Sequence, residues 1–208
     1  MNNIIKLTKQ DKLYLLGDYI DKGPNSRSVL DFILELKDKN FELVVLRGNR
    51  EENLLKVLSN KLNEDEWLKN GGEQTLKSFA KASKLGTIKG IPKKYIELLF
   101  SMEYCKIESK YWFVHAGFNF SKSDFLADKD SMLTIRPFYH SANNTNQIII
   151  HGHTPMAFDE MISANAQNPR ILCVDSGCIY ANKKGMGRLT AYCIENESYF
   201  WVENMDIS

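Results

Sequence analysis

Short apolar runs in this chain stop abruptly at turns rich in glycine and polar side chains. Residues 13–16 (LYLL) run into Gly17-Asp18-Tyr19-Ile20-Asp21-Lys22-Gly23-Pro24, and residues 42–46 (ELVVL) into Arg47-Gly48-Asn49-Arg50. Phe113-Val114 ends at His115-Ala116-Gly117, residues 148–150 at His151-Gly152-His153-Thr154-Pro155, and residues 172–174 at Asp175-Ser176-Gly177. Runs of this length bounded by turn formers predict buried strands. Between the first two, Val29, Leu30, Ile33 and Leu36 line one face of a helix that runs through Lys39 with Ser26 as its N-cap. Residues 51–58 predict a second helix, acidic in its first turn. The order strand, loop, helix, strand, loop, helix implies parallel strands with their loops on one edge, where α/β proteins bind ligands.

From about residue 64 to 102 the pattern leans helical and is broken at Gly71-Gly72, Gly86 and Pro92, which predicts a helical insert beside the site. Beyond it the chain turns strand-rich, at residues 111–114, 148–150, 171–174, 188–194 and 199–202, with a polar surface loop at 141–147. No repeat or low-complexity linker suggests a boundary, so a single domain over 1–208 is expected.

Composition narrows the function classes. A chain of 208 residues, 43% hydrophobic, can bury a sizeable core and is not of disordered type. A formal net charge of +1 supplies no global field toward nucleic acid or an anionic membrane, so neither is expected as a partner. The apolar runs are too short to span a bilayer, and the first residues carry no secretion-signal stretch. Cys105, Cys173, Cys178 and Cys193 lack paired CxxC spacing, which argues for reduced thiols in a cytoplasmic protein.

The strand ends carry the candidate chemistry. Carboxylate, amide and imidazole groups stand there beside glycines, which let backbone approach a crowded ion or phosphate. Such mixed ligands suit manganese, iron or zinc better than calcium. Any one of them alone reads as an ordinary turn residue, and a reading with no metal treats all of them so. Together, on one expected sheet edge, they point to an ion.

These motifs resemble those of the calcineurin-like metallophosphoesterases, in the branch of the phosphoprotein phosphatases. GDYIDKGP is similar to the family's GDxxDRG, RGNRE to its GNHE, and VHAGF, HGHTP and VDSGCIY with GRLTAYCIE to its later motifs in order. The resemblance implies the bacterial serine/threonine phosphatases and symmetrical diadenosine-tetraphosphate hydrolases as close relatives. The resemblance implies an α/β fold, a two-sheet β-sandwich core flanked by helices, and metal-dependent hydrolysis of phosphoesters. It implies metal ligands Asp18 (bridging), Asn49, His115 and His153, with His151 a neutral core histidine. It implies substrate-phosphate contacts from Lys22, Asn49 and Arg136, and a catalytic pair at Asp21 and Arg50. The cofactor would be one or two divalent ions, manganese first, with iron or zinc as alternatives. Cations of such a centre lower the pKa of bound water and draw charge from phosphoryl oxygens. The substrate would be a phosphoprotein, a dinucleoside polyphosphate or a small phosphomonoester.

Two departures bear on activity. The family's GDxHG motif, one βα unit before GDxxDRG, has no counterpart in the residues preceding Gly17, so an N-terminally incomplete domain with an incomplete first-metal site is expected. The histidine of GNHE, held in the family by the second Asp of GDxxDRG, is Arg50 here. A guanidinium with a pKa above about 12 cannot donate a proton usefully near neutrality. It would pair with Asp21 or touch substrate phosphate. The chain would then be a fragment, an enzyme with reduced or lost activity, or a non-catalytic module that binds metal, phosphate or protein.

Overall fold

The computed structural model describes residues 6–80, 86–136 and 145–206. They fall into two compact units, Lys9–Glu103 and, together with residues 6–8, residues 104–206.

In the Lys9–Glu103 unit, β1 (Lys12–Leu15) and β2 (Glu42–Val45) pair in parallel, with Leu13 opposite Leu43 and Leu15 opposite Val45. The connection is α1 (Ser26–Asp38), whose Leu30, Ile33 and Leu36 are buried. Val29, expected on that face, is exposed, because the buried line runs through Ser26, Leu30 and Ile33 instead. Asn25 rather than Ser26 is the N-cap; Ser26 begins the helix, and its buried hydroxyl lies 3.3 Å from that of Thr75. Helix α2 (Asn49–Leu58) starts two residues earlier than the sequence suggested, since Glu51 accepts the Gly48 N–H at 2.8 Å and caps the first turn.

The stretch expected as a helical insert holds α3 (Glu64–Trp67), a π turn (Leu68–Gly72), α4 (Glu73–Phe79) and α5 (Lys93–Ser101); residues 81–85 lie outside the described residues. These helices share one core with the βαβ part: Trp67, Leu76, Tyr95 and Leu99 pack with Ile20, Leu30, Ile33 and Leu54. Arg47 ties β2 to α5. Its N–H donates to the Glu103 carbonyl at 2.8 Å, and its guanidinium reaches Glu52 at 2.9 Å and the Leu99 and Phe100 carbonyls. Buried arginine is tolerable only with such multiple partners.

In the other unit, β3 (Cys105–Ile107), β4 (Tyr111–Val114), β5 (Ile148–His151) and β6 (Ile171–Cys173) form one sheet in that order. β3 is antiparallel to β4, and β4, β5 and β6 are parallel. Val114, Phe118, Met132 and Ile149 pack together in its core. A hairpin of β7 (Arg188–Cys193) and β8 (Ser198–Glu203) completes the described strands. The sequence pattern missed β3, which is only three residues long, and the helices α6 (Lys129–Thr134) and α7 (Phe158–Gln167). In α7 a core position is held by Asn165, whose amide donates to the Cys173 carbonyl at 2.7 Å and accepts its N–H at 2.9 Å. A polar residue on the inward face masks the helical period.

The α/β class is borne out. Asp18 and Asn49 follow β1 and β2 in one unit, and His115, His153 and Asp175 follow β4, β5 and β6 in the other. Most of the expected 141–147 loop lies outside the described residues. Among the described residues, no helix is long and apolar enough to cross a membrane.

Candidate active site

The turn after β1 is built from backbone that most residues avoid. Gly17 has φ of 105°, Asp18 61°, Asp21 65° and Lys22 52°. Aspartate tolerates the left-handed region, but lysine is disfavoured there by roughly 1–2 kcal/mol. Such a run persists only where surrounding contacts determine it, and such runs concentrate at functional sites.

The contacts here come chiefly from Glu51, which is fully buried. Its Oε1 accepts the N–H groups of Tyr19 at 2.7 Å and Ile20 at 3.2 Å, and its Oε2 those of Asp18 at 2.9 Å and Gly48 at 2.8 Å. Tyr19 reinforces the turn by accepting the Gly17 N–H and donating to the Leu46 carbonyl. The turn and the start of α2 then touch so closely that a Cβ on Gly48 would stand 2.2 Å from Asp18 Oδ1 and 2.4 Å from the Asp18 nitrogen. Glycine at position 48 is a steric requirement. Burial and the Asp18 charge raise the Glu51 pKa to about 7, against the backbone N–H groups that favour its charged form.

Asp21 is buried under the α3–α4 segment. Its Oδ1 accepts from the Thr75 hydroxyl at 2.7 Å and its Oδ2 from the Trp67 indole N–H at 3.1 Å, while the Asp21 N–H donates to Thr75. Burial raises its pKa to about 6, opposed by the Thr75 bond, the Arg50 charge and the Trp67 bond. The expected Asp21–Arg50 ion pair is not formed, because Thr75 and Trp67 take up the carboxylate. Arg50 turns to Asp18 instead: its Nε lies 3.9 Å from Asp18 Oδ2, its backbone N–H donates to Asp18 Oδ1 at 3.2 Å, and its Nη1 donates to the Asn70 carbonyl at 3.1 Å. Lys22 is exposed, and its backbone lies against Gly71, whose φ of 118° is non-helical and kinks the chain before α4. Asn49, half-buried, is the first residue of α2.

In the other unit, His115 follows β4 and is buried, while His153 follows β5 with φ of 68°. Their Nε2 and Nδ1 atoms lie 3.0 Å apart. Arg136 Nε donates to His153 Nε2 at 3.1 Å, and its Nη2 to the His153 carbonyl. With Nε2 accepting, a neutral His153 carries its proton on Nδ1, between the two rings. The loops are pinned by the Gly152 N–H, which donates to the His115 carbonyl at 2.8 Å. His151 is fully buried with Nδ1 3.0 Å from the Gly152 carbonyl, and burial lowers its pKa to about 4, so it is neutral near pH 7.

These donors fit a divalent cation. Two nitrogens 3.0 Å apart can ligate one ion at about 2.0–2.1 Å each once the proton leaves Nδ1; a neutral His153 ring then carries it on Nε2, and the bond from Arg136 Nε gives way. Thus Asp18, Arg50, Asn49 and Asp21 gather around one turn and the start of α2, and His115, His153 and Arg136 around the ends of β4 and β5. Glu51, Thr75 and Trp67 were not singled out by sequence reasoning. Glu51 had a signal, standing two residues after the amide of the second motif; Thr75 and Trp67 had none.

The profile of the calcineurin-like phosphoesterases matches residues 1–183. A symmetrical bis(5'-nucleosyl)-tetraphosphatase of Nitrosospira multiformis is 44% identical over 48 residues. That stretch is 23% of this chain and spans only 16% of the relative's length. A metallophosphoesterase from Sphaerobacter thermophilus superposes with a TM-score of 0.46 at 14% identity, over 93% of this chain and 78% of its own. With its profile matched from the first residue through the HGHTP and VDSGC turns, this chain belongs to the calcineurin-like phosphoesterase family.

Proposed function

We propose that this chain hydrolyses phosphoesters with a divalent cation held by Asp18, Asn49, His115 and His153, manganese being the first candidate and iron and zinc the alternatives. The observation that carries the reading is the approach of His115 Nε2 and His153 Nδ1 to 3.0 Å, with Arg136 Nη2 anchored on the His153 carbonyl. A cation there supplies Lewis acidity toward water and phosphoryl oxygens. Lys22, Asn49 and Arg136 orient the phosphoryl group, and Arg136 is already anchored beside His153. Arg50, permanently charged, stabilises negative charge on the phosphoryl or leaving oxygen, which replaces proton donation by electrostatics. Asp21 acts through its charge and its hold on the turn. The substrate is a small phosphomonoester, a dinucleoside polyphosphate or a phosphoprotein. The similarity to a protein named as a tetraphosphatase favours testing the dinucleoside class early.

A second reading, a module that binds metal or phosphate without turnover, is favoured by one observation: Arg50 lies against Asp18, the proposed bridging ligand. A guanidinium there weakens the attraction of a dication. The two readings separate with purified protein, manganese and p-nitrophenyl phosphate. Turnover that Asp18→Asn abolishes supports the hydrolase. Bound manganese without turnover on this ester or on diadenosine tetraphosphate supports the module.

A further inference from the structure

We propose that Glu51 is a positioning residue: a buried carboxyl group that sets the backbone of Asp18 and of Gly48-Asn49, and thereby the affinity of the chain for a divalent cation. The affinity part rests on the cation reading above; the geometric part stands by itself. Glu51 is fully buried, and its two oxygens accept four backbone N–H groups, those of Asp18, Tyr19, Ile20 and Gly48. A carboxylate offers about four lone-pair sites, so backbone donors fill its capacity. Three of these donors are consecutive residues that follow the left-handed Gly17, an arrangement that makes a concave anion-binding nest. Here the nest is filled by the protein's own side chain. The fourth bond is local, from Gly48 three residues before it, so one carboxylate joins its own motif to Asp18, 33 positions earlier.

Asp18 and Asn49 are the two proposed ligands that these motifs carry. Asp18 is held through its N–H by Glu51, and its Oδ1 receives the Arg50 N–H from the same helical turn. A glutamine at position 51 has the same shape, but its NH2 group would face two backbone donors. Two bonds would become donor–donor contacts, and the turn must move.

The test compares wild type, Glu51→Gln and Leu54→Ala, the last removing a buried side chain of the same helix that contributes to the core. Manganese affinity is measured by isothermal titration, and the amide resonances of Asp18, Tyr19, Ile20 and Gly48 are followed by NMR in metal-free protein. The expected result is a 10–100-fold loss of manganese affinity in Glu51→Gln. Its four amides shift upfield together, while Leu54→Ala lowers the melting temperature and keeps affinity within about twofold. Equal loss in both variants, or affinity within twofold of wild type in Glu51→Gln, overturns the proposal. Should Glu51→Gln fail to fold, Glu51→Asp, which keeps the charge one methylene short, carries the same expectation of at least about tenfold loss. If wild type binds no manganese, the cation reading fails. The amides then decide the geometric claim: shifts confined to those four support it, and unchanged shifts overturn it.

Discussion

Two side chains at the start of this site behave against type. Asp21, folded, keeps its proton to about pH 6, whereas its ordinary value is 3.8. The native state therefore binds more protons than the unfolded chain between about pH 4 and 6, and stability falls as pH rises through that window, then levels off. The gap of about two pH units corresponds to roughly 3 kcal/mol at most. Urea midpoints of metal-free protein should show this decline, and in Asp21→Asn its share should disappear. The decline that Glu51 contributes between its ordinary 4.5 and about 7 should remain. Arg50 gives the second prediction. Replacing it by histidine restores a group able to donate a proton near neutrality and removes the charge beside Asp18. Arg50→His should raise turnover of p-nitrophenyl phosphate at least about tenfold, part of the 10²–10⁴ typical of general acid catalysis. An unchanged rate would place the limit elsewhere.

At the scale of elements, the α3–π turn–α4 segment is a clamp on the first motif. Thr75 and Trp67 hold the Asp21 carboxylate, Gly71 makes room for Lys22, and the Asn70 carbonyl takes the Arg50 guanidinium. Thr75→Val removes both a donor to and an acceptor from Asp21. It should cost about 1–3 kcal/mol by urea titration and push the Asp21 pKa above about 6, read from the side-chain carboxyl shift. The contact between the β1 turn and α2 is equally exacting. Gly48→Ala places a Cβ within 2.4 Å of backbone that has no room to yield, so a loss above about 2 kcal/mol is expected. Of these elements the sequence made β1, α1, β2 and α2 legible, because their apolar runs are uninterrupted and their ends carry turn residues. The clamp was legible only as helical. Nothing in Trp67 or Thr75 marks them as partners of a residue 46 or 54 positions away.

For the whole molecule, the cation reading predicts a linkage. A cation that binds the native state at 100 times its Kd adds about 2.7 kcal/mol. For a chain of this size that is a rise of roughly 5–10 °C in melting temperature. Manganese should produce it, EDTA should reverse it, and Asp18→Asn should abolish it; a melting temperature that ignores manganese would count against the four proposed ligands. The four proposed ligands, Asp18, Asn49, His115 and His153, come from the likeness of their turns to the motifs of the family, since each stands in a glycine-bearing turn after an apolar run.

By itself, then, the sequence determined which residues stand at strand ends, that the first two strands run parallel with a helix between them, and which family the motifs resemble. Those are local properties: side-chain period, turn chemistry and motif order are all written in neighbouring positions. Tertiary structure alone decided that Arg50 answers to Asp18 instead of Asp21, that Trp67 and Thr75 own the Asp21 carboxylate, and that Glu51 gathers four backbone N–H groups. The physical reason is that a buried polar group must find partners wherever the fold brings them, and no pattern along the chain encodes that distance.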